Sequence, residues 1–314
     1  MDVLLLVLGI VTLVASGDLL VKYASGIAIK ASIPPLIVGL TIVSIGTSAP
    51  EIIASVRAAL EGNPGITLGN VIGSNIANLA LILGATALIH PVGVDRSLMR
   101  SDWPVMMVAS AAFWFFISDG ELEQWEGFAL LMGAVALLCM LYFRSQAARQ
   151  SEAATGAESE LLEEAQRPIW KLIGGLAAAC VGLYFGSEWF IDGARNLAAK
   201  AGVSDHIIGL TIVAFGTSVP ELVASGMAAW KKESDLALGN LIGSNIFNIF
   251  LAAGLSAAIV SLPVEPQALE FDMWWMFGIA AVVGVMMMHK GRVHRWKGLI
   301  LFGLYLIYML LIWK

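Results

Sequence analysis

Two segments of this chain recur 170 residues later almost unchanged. Leu40-Thr41-Ile42-Val43-Ser44-Ile45-Gly46-Thr47-Ser48-Ala49-Pro50-Glu51 returns as Leu210-Thr211-Ile212-Val213-Ala214-Phe215-Gly216-Thr217-Ser218-Val219-Pro220-Glu221. Gly69-Asn70-Val71-Ile72-Gly73-Ser74-Asn75-Ile76-Ala77-Asn78 returns as Gly239-Asn240-Leu241-Ile242-Gly243-Ser244-Asn245-Ile246-Phe247-Asn248. One offset serves both blocks, so the chain is a duplication and its halves must share a fold. The repeated residues are Thr, Ser, Asn, Pro and Glu. Packing alone would preserve apolar character, not these.

The surroundings of the blocks are apolar. The chain is 58% hydrophobic and 13% charged, against roughly 25% charged in soluble domains. Its 18 Lys+Arg lie between apolar runs, most near the ~20 residues that a helix needs to cross hydrocarbon. The runs predict ten spans, at about 2–22, 34–59, 66–89, 103–118, 127–143, 169–192, 206–229, 236–261, 272–288 and 298–313. They are continuously apolar rather than alternating, which excludes a β-barrel. The expected class is an all-α integral membrane protein. The first run has no basic flank or small-residue cleavage site, so it is expected to stay as a helix. Cys139 and Cys180 have no partner spacing and read as small hydrophobes.

Basic residues set the expected orientation. With the N-terminus outside, 14 of the 18 fall on the cytoplasmic side and only Arg57, Arg195, Lys200 and Lys314 outside. The basic-free loops 119–126 and 262–272 also land outside. The positive-inside rule favours this arrangement, with both termini outside and the chain in the plasma membrane of a prokaryotic cell.

Residues 1–143 and 169–314 each hold five expected spans, joined by a linker, 144–168, read as a cytoplasmic tether with a helical stretch around Glu158–Ala165. An odd number of spans sends the second copy through the membrane upside down. The halves are then inverted repeats, a plan common among secondary transporters. Asp18 and Glu188 occupy matching positions on the first span of each half and are expected to be interfacial or ion-paired, beside Lys22 and Arg195.

Chemistry concentrates where the blocks recur. Pro50 and Pro220 fall inside long spans, where a proline removes a backbone hydrogen bond and opens the helix. Broken second and seventh spans are expected, with the carbonyls of Gly46 and Gly216 freed. Freed carbonyls within a bilayer need protein, water or an ion as partner. Each proline precedes a glutamate, and a mid-membrane charge costs at least ~2.5–3.5 kcal/mol on insertion scales, which marks it as functional. From Glu51 to the Gly62-Asn63-Pro64-Gly65 turn and back to Asn78, both legs are roughly 14–18 Å long at 1.5 Å per residue, so Glu51 and Asn78 reach similar depth. Thr47 and Glu51 share a helix face, as do Ser74 and Asn78. Thr217, Glu221, Ser244 and Asn248 repeat the set. Two carboxylates with hydroxyls, amides and carbonyls make an all-oxygen cage suited to hard cations, Ca2+ and Na+. Close helix packing explains Gly73, Gly243, Gly84 and Gly254, but not paired Glu, Asn and Pro. His90, His206, His289 and His294 lie in loops or at a helix end and are expected to hold no metal.

The doubled Gly-Thr-Ser-x-Pro-Glu and Gly-Ser-Asn-Ile-x-Asn signatures resemble those of the cation/Ca2+ exchanger superfamily, specifically its prokaryotic sodium/calcium exchanger-like branch. The specific motifs cover about 45 residues per half. The resemblance implies that Glu51 and Glu221 ligate Ca2+, with Thr47 and Thr217 nearby. It implies Na+ sites at Ser74, Ser244, the hydroxyls of Ser48 and Ser218, and the carbonyls of Ser44 and Ala214, with Asn78 and Asn248 lining the centre. It also implies alternating access, with the first and sixth spans sliding past a fixed site. Some relatives, including K+-dependent exchangers, carry Asp where this chain has Asn248, which argues against K+ dependence here.

The expected function is a Na+/Ca2+ antiporter. The alternative is a Ca2+/H+ antiporter of the same fold, whose members usually show Gly-Asn-Ala-x-Glu in the first block. A channel is disfavoured by a closed cage between inverted repeats. An enzyme is disfavoured because no nucleophile–base pair or cofactor motif occurs. Expected partners are the transported Ca2+ and Na+ and the lipid bilayer, with no cofactor, nucleic acid or obligate protein partner.

Overall fold

The computed structural model describes residues 2–151, 165–201 and 216–312. It is almost wholly helical. In chain order the helices are α1 (Asp2–Ala31), α2 (Pro35–Thr47), α3 (Ala49–Leu60), α4 (Pro64–Ile89), α5 (Trp103–Ile117) and α6 (Gln124–Ser151). The second half continues with α7 (Ile169–Lys200), α8 (Val219–Trp230), α9 (Ser234–Ile259), α10 (Ala268–Met288) and α11 (Arg295–Ile312). Seven of the described helices are long and apolar enough to cross a membrane, and the bent pair α2–α3 makes an eighth. Large apolar side chains such as Val3, Phe115, Phe143 and Leu310 stand exposed, as expected where lipid is the solvent.

Several expected boundaries move. α1 runs to Ala31 and α7 to Lys200, beyond the expected ends near 22 and 192. Asp18, Lys22 and Lys30 lie within the helix rather than ending it. α6 continues through 144–151, so the first part of the expected linker is helix. The expected helical stretch at Glu158–Ala165 falls, all but Ala165, outside the described residues.

Glycine lets α1 and α7 touch backbone to backbone. A Cβ at Gly9 would lie 2.5 Å from the Phe190 nitrogen, and one at Gly193 would lie 2.6 Å from that of Leu6. Further along, Gly182 meets Ser16 and Gly175 meets the Tyr23 ring, an antiparallel crossing extending over five turns of α1. Midway along α1 Asp18 pairs with Lys231 at 2.5 Å, while Glu188 accepts the Tyr184 hydroxyl at 2.8 Å. Asp18 is thus ion-paired as expected, though its partner comes from the loop after α8.

Two very short strand pairs tie the halves together. β1 (Val92–Gly93) pairs antiparallel with β4 (Arg292–Val293), and β2 (Glu121–Leu122) with β3 (Leu262–Pro263). Adding 170 to one strand of the first pair and subtracting it from the other gives the second pair, to within a residue. Around α11 the correspondence slips by one: Gly84 lies against the Gly298 carbonyl and Gly254 against that of Gly127. Gly84, Gly254 and Gly243 therefore mark close helix approaches, as expected. Gly73 meets no described atom.

The buried apolar residues fall into two clusters. The larger draws on α2 to α6 and α9 to α11. The smaller joins α1 and α7 to parts of α2, α8 and α9.

Candidate ion-binding site

The site is built on the break between α2 and α3 and its counterpart before α8. Ser48 (φ −82°, ψ 2°) and Ser218 (φ −90°, ψ 6°) leave helical geometry for the bridge region. At the first break the chain bends by 46°. Pro50 and Pro220 then occupy the second position of the new helices, where the missing N–H costs nothing. The break lies two residues before the proline, within the preceding turn whose hydrogen bond the proline removes. Glu51 and Glu221 stand third in their helices, in the first turn.

Both glutamates are 1% exposed. Each accepts a hydroxyl from the opposite half: Ser48 Oγ donates to Glu221 Oε1 at 2.9 Å, and Ser218 Oγ to Glu51 Oε1 at 3.4 Å. The helix bearing Glu51 packs against the π-helical turn Asn248–Ala253, and that bearing Glu221 against the π-helical turn Ala77–Ile82. There the Asn78 Nδ2 donates to Asn245 Oδ1 and the Asn248 Nδ2 to Asn75 Oδ1, both at 3.2 Å. Each contact is the exchange image of the other, one residue raised by 170 and its partner lowered by 170.

What these bonds leave over decides the chemistry. Glu51 Oε2, Glu221 Oε2, Asn78 Oδ1, Asn248 Oδ1 and Ser244 Oγ are buried without a hydrogen-bond partner. Leaving a buried polar atom unpartnered costs ~1–3 kcal/mol, and more for a charged group. With the glutamates ionised, four of the five are acceptors only, and no donor of the described residues reaches them. A cation can. Among the described residues no group of three or more His, Cys, Asp and Glu forms a metal cluster. A cation held here therefore meets two carboxylates and neutral oxygens, a donor set suited to Na+ or Ca2+.

The sodium/calcium exchanger protein family model matches residues 1–143 and 171–314. The chain belongs to this family. The chain is 34% identical over 313 residues to an inner membrane protein, YrbG, of Escherichia coli, covering 98% of this chain and 96% of the relative. It is 32% identical over 341 residues to the sodium/calcium exchanger MaX1 of Methanosarcina acetivorans, covering 98% and 97%. Among solved structures it is similar to the sodium-calcium exchanger NCX_Mj soaked with Na+ and Ca2+, with 30% identity, a TM-score of 0.81 and coverage of 98% and 96%.

The other expected site residues of the exchanger sort as follows. Thr47 Oγ1 donates to Asn240 Oδ1 at 3.0 Å, spanning the halves. Ser74 and Ser244 are buried, and Thr217 is half-buried. The Ser44 carbonyl already accepts the Ser48 N–H at 2.9 Å and the Thr47 hydroxyl at 3.3 Å, so it is not freed by the break. The Gly216 carbonyl accepts the Ser187 hydroxyl of α7 at 2.7 Å. Ala214 lies outside the described residues.

Four further residues shape the site without having been expected. Asn75 and Asn245 hold the two central amides, while Asn70 and Asn240 brace the glutamate helices through Ser55 and Ser225, each at 2.9 Å. All four sit in the repeated blocks, and that repetition was the available signal.

Proposed function

We propose that this protein is a Na+/Ca2+ antiporter of the plasma membrane that works by alternating access. The observation carrying this reading is the pair of buried glutamates, each tied by one oxygen to a serine of the opposite half and each keeping the other oxygen unpartnered. Two ionised carboxylates balance one Ca2+. Na+ ions at the same oxygens and the flanking hydroxyls of Ser48, Ser218, Ser74 and Ser244 compete with it, and competition for shared ligands is what exchange requires. Thr47, Thr217, Asn78, Asn248 and the backbone at Ser44 and Ala214 complete the proposed ion-binding set. The family, and the name of the Methanosarcina relative, support the assignment.

Ten spans arranged as inverted five-span repeats, 1–143 and 169–314, complete the proposal. The fourth span is α5 with the π-helical turn before it, and the seventh ends in α8. Support comes from contacts at the two membrane faces. Ten alternating spans put β1 with β4, Lys30 with Ala165, Arg144 with Asp102, and Gly93 with Ser234 on the linker's side. They put β2 with β3, Gln124 with Ile259, and Asp2 with Lys200 on the other side. The basic residues make the linker side cytoplasmic. With Cys139 and Cys180 replaced, Thr155→Cys is expected to resist an impermeant thiol reagent in intact cells and to react in inverted vesicles. Rapid labelling in intact cells overturns the orientation.

Coupling is tested in proteoliposomes. A Na+ gradient is expected to drive Ca2+ flux with K+ replaced by choline on both sides, because Asn248 offers a carbonyl but no charge for a further cation. Flux that collapses without K+ refutes the reading of Asn248. Flux driven by a pH gradient alone makes this a Ca2+/H+ antiporter of the same fold.

A further inference from the structure

The central amides are oriented from outside the cage. Asn75 Nδ2 donates to the thioether sulfur of Met276 on α10 at 3.6 Å, and Asn245 Nδ2 to that of Met106 on α5 at 3.7 Å. Both methionines are buried, as are all four asparagines. A thioether accepts hydrogen bonds and cannot donate. An asparagine amide facing it must therefore present its NH2 and turn its carbonyl the other way. For Asn75 that carbonyl receives the Asn248 NH2, which leaves Asn248 Oδ1 as the end without a partner. Reversing Asn75 would set oxygen against sulfur at one end and NH2 against NH2 at the other, and reversing Asn248 alone would set oxygen against oxygen. The same chain runs from Met106 through Asn245 to Asn78 Oδ1.

We propose that Met106 and Met276 are positioning residues that fix the polarity of the two asparagine pairs, so that both central carbonyls face a bound cation. The inference rests on the antiporter reading and adds that ion affinity is set in part by two sulfurs with no ligand role. An apolar side chain of similar volume packs the same space but leaves the amides free to reverse, and a reversed Asn78 or Asn248 aims NH2 at the cation. The two sulfurs stand at the same position of the two halves, 106 and 276, so each half's cage carbonyl is set by its own half's methionine acting through an asparagine of the other half.

The test is Ca2+ and Na+ titration of purified full-length protein by calorimetry, with thermal midpoints measured separately in ion-free buffer. Met106→Leu and Met276→Leu are each expected to weaken Ca2+ binding roughly three- to tenfold, the size of one lost modest hydrogen bond, with an unchanged ion-free midpoint. In an Asn248→Asp background, whose carboxylate presents oxygen to the cation in either orientation, Met276→Leu is expected to weaken Ca2+ binding no further. Leucine variants that bind like the parent overturn the proposal. So does equal weakening by Met276→Leu with and without Asn248→Asp, which would make the methionine a packing residue only. A lower ion-free midpoint that accounts for the lost affinity overturns it as well. A parent protein that binds neither ion defeats the antiporter reading itself, and this proposal falls with it.

Discussion

Glu51→Gln and Glu221→Gln are each expected to abolish Ca2+ transport in proteoliposomes while leaving a folded protein. Glutamine keeps the volume and still accepts the Ser218 or Ser48 hydroxyl, so the contact between halves survives. What disappears is one charge facing a divalent ion. At ~4 Å and an effective dielectric of ~20, a single charge against Ca2+ is worth about 8 kcal/mol before desolvation. Even a small fraction of that exceeds the 1.4 kcal/mol that separates tenfold steps in affinity. The ion-free variants should melt no lower than the parent, since a buried charge without a full set of partners destabilises the fold. Normal Ca2+ uptake by both variants would sink the ligand assignment.

The second large effect is steric. Gly39 of α2 and Gly239 of α9 cross with their backbones in contact. A Cβ on Gly39 would lie 2.7 Å from the Leu236 carbonyl oxygen, and one on Gly239 would lie 2.6 Å from that of Leu36. Neither obstacle is a side chain that can rotate aside. Gly39→Ala and Gly239→Ala are therefore each expected to lower stability by at least ~1–3 kcal/mol, the usual penalty for overpacking, and to impair transport, since this crossing lies beside Ser44 and Thr47. Gly174→Ala serves as the control, because its Cβ meets nothing. The check is the thermal midpoint in detergent. If Gly239→Ala melts with Gly174→Ala, the crossing is not the tight contact described.

The polar pairs of the site were readable because duplication printed them twice. Glu51 and Glu221 announced themselves through Pro-Glu in an apolar run, and Asn78 and Asn248 through their spacing. The methionines did not, because Met in an apolar helix ordinarily fills space. Their role exists only when α5 and α10 pack against helices from the other half. The π-helical turns at Ala77–Ile82 and Asn248–Ala253 had no compositional cue either, since Leu, Ile and Ala serve π and α geometry alike. Helix ends were misjudged wherever charge was taken as a stop: Asp18 and Lys22 sit inside α1, with Asp18 held by Lys231 from elsewhere in the chain. The carbonyl of Gly216 shows the same limit, because the Ser187 hydroxyl that satisfies it comes from another helix.

The two strand pairs have a mechanical consequence. Each is a rivet between the halves, one near either end of α9, fastening the end of α4 to the α10–α11 hairpin and the end of α9 to the α5–α6 hairpin. The larger apolar cluster fills the frame so fastened. Among the described residues no such rivet reaches α1 or α7, which lean mainly on each other along a glycine-lined seam. The Ser187 hydroxyl on the Gly216 carbonyl and the Asp18–Lys231 ion pair are polar fastenings between this pair of rods and the chain flanking α8. If the proposed exchange cycle moves α1 and α7 against the rest, these are contacts it has to break and remake.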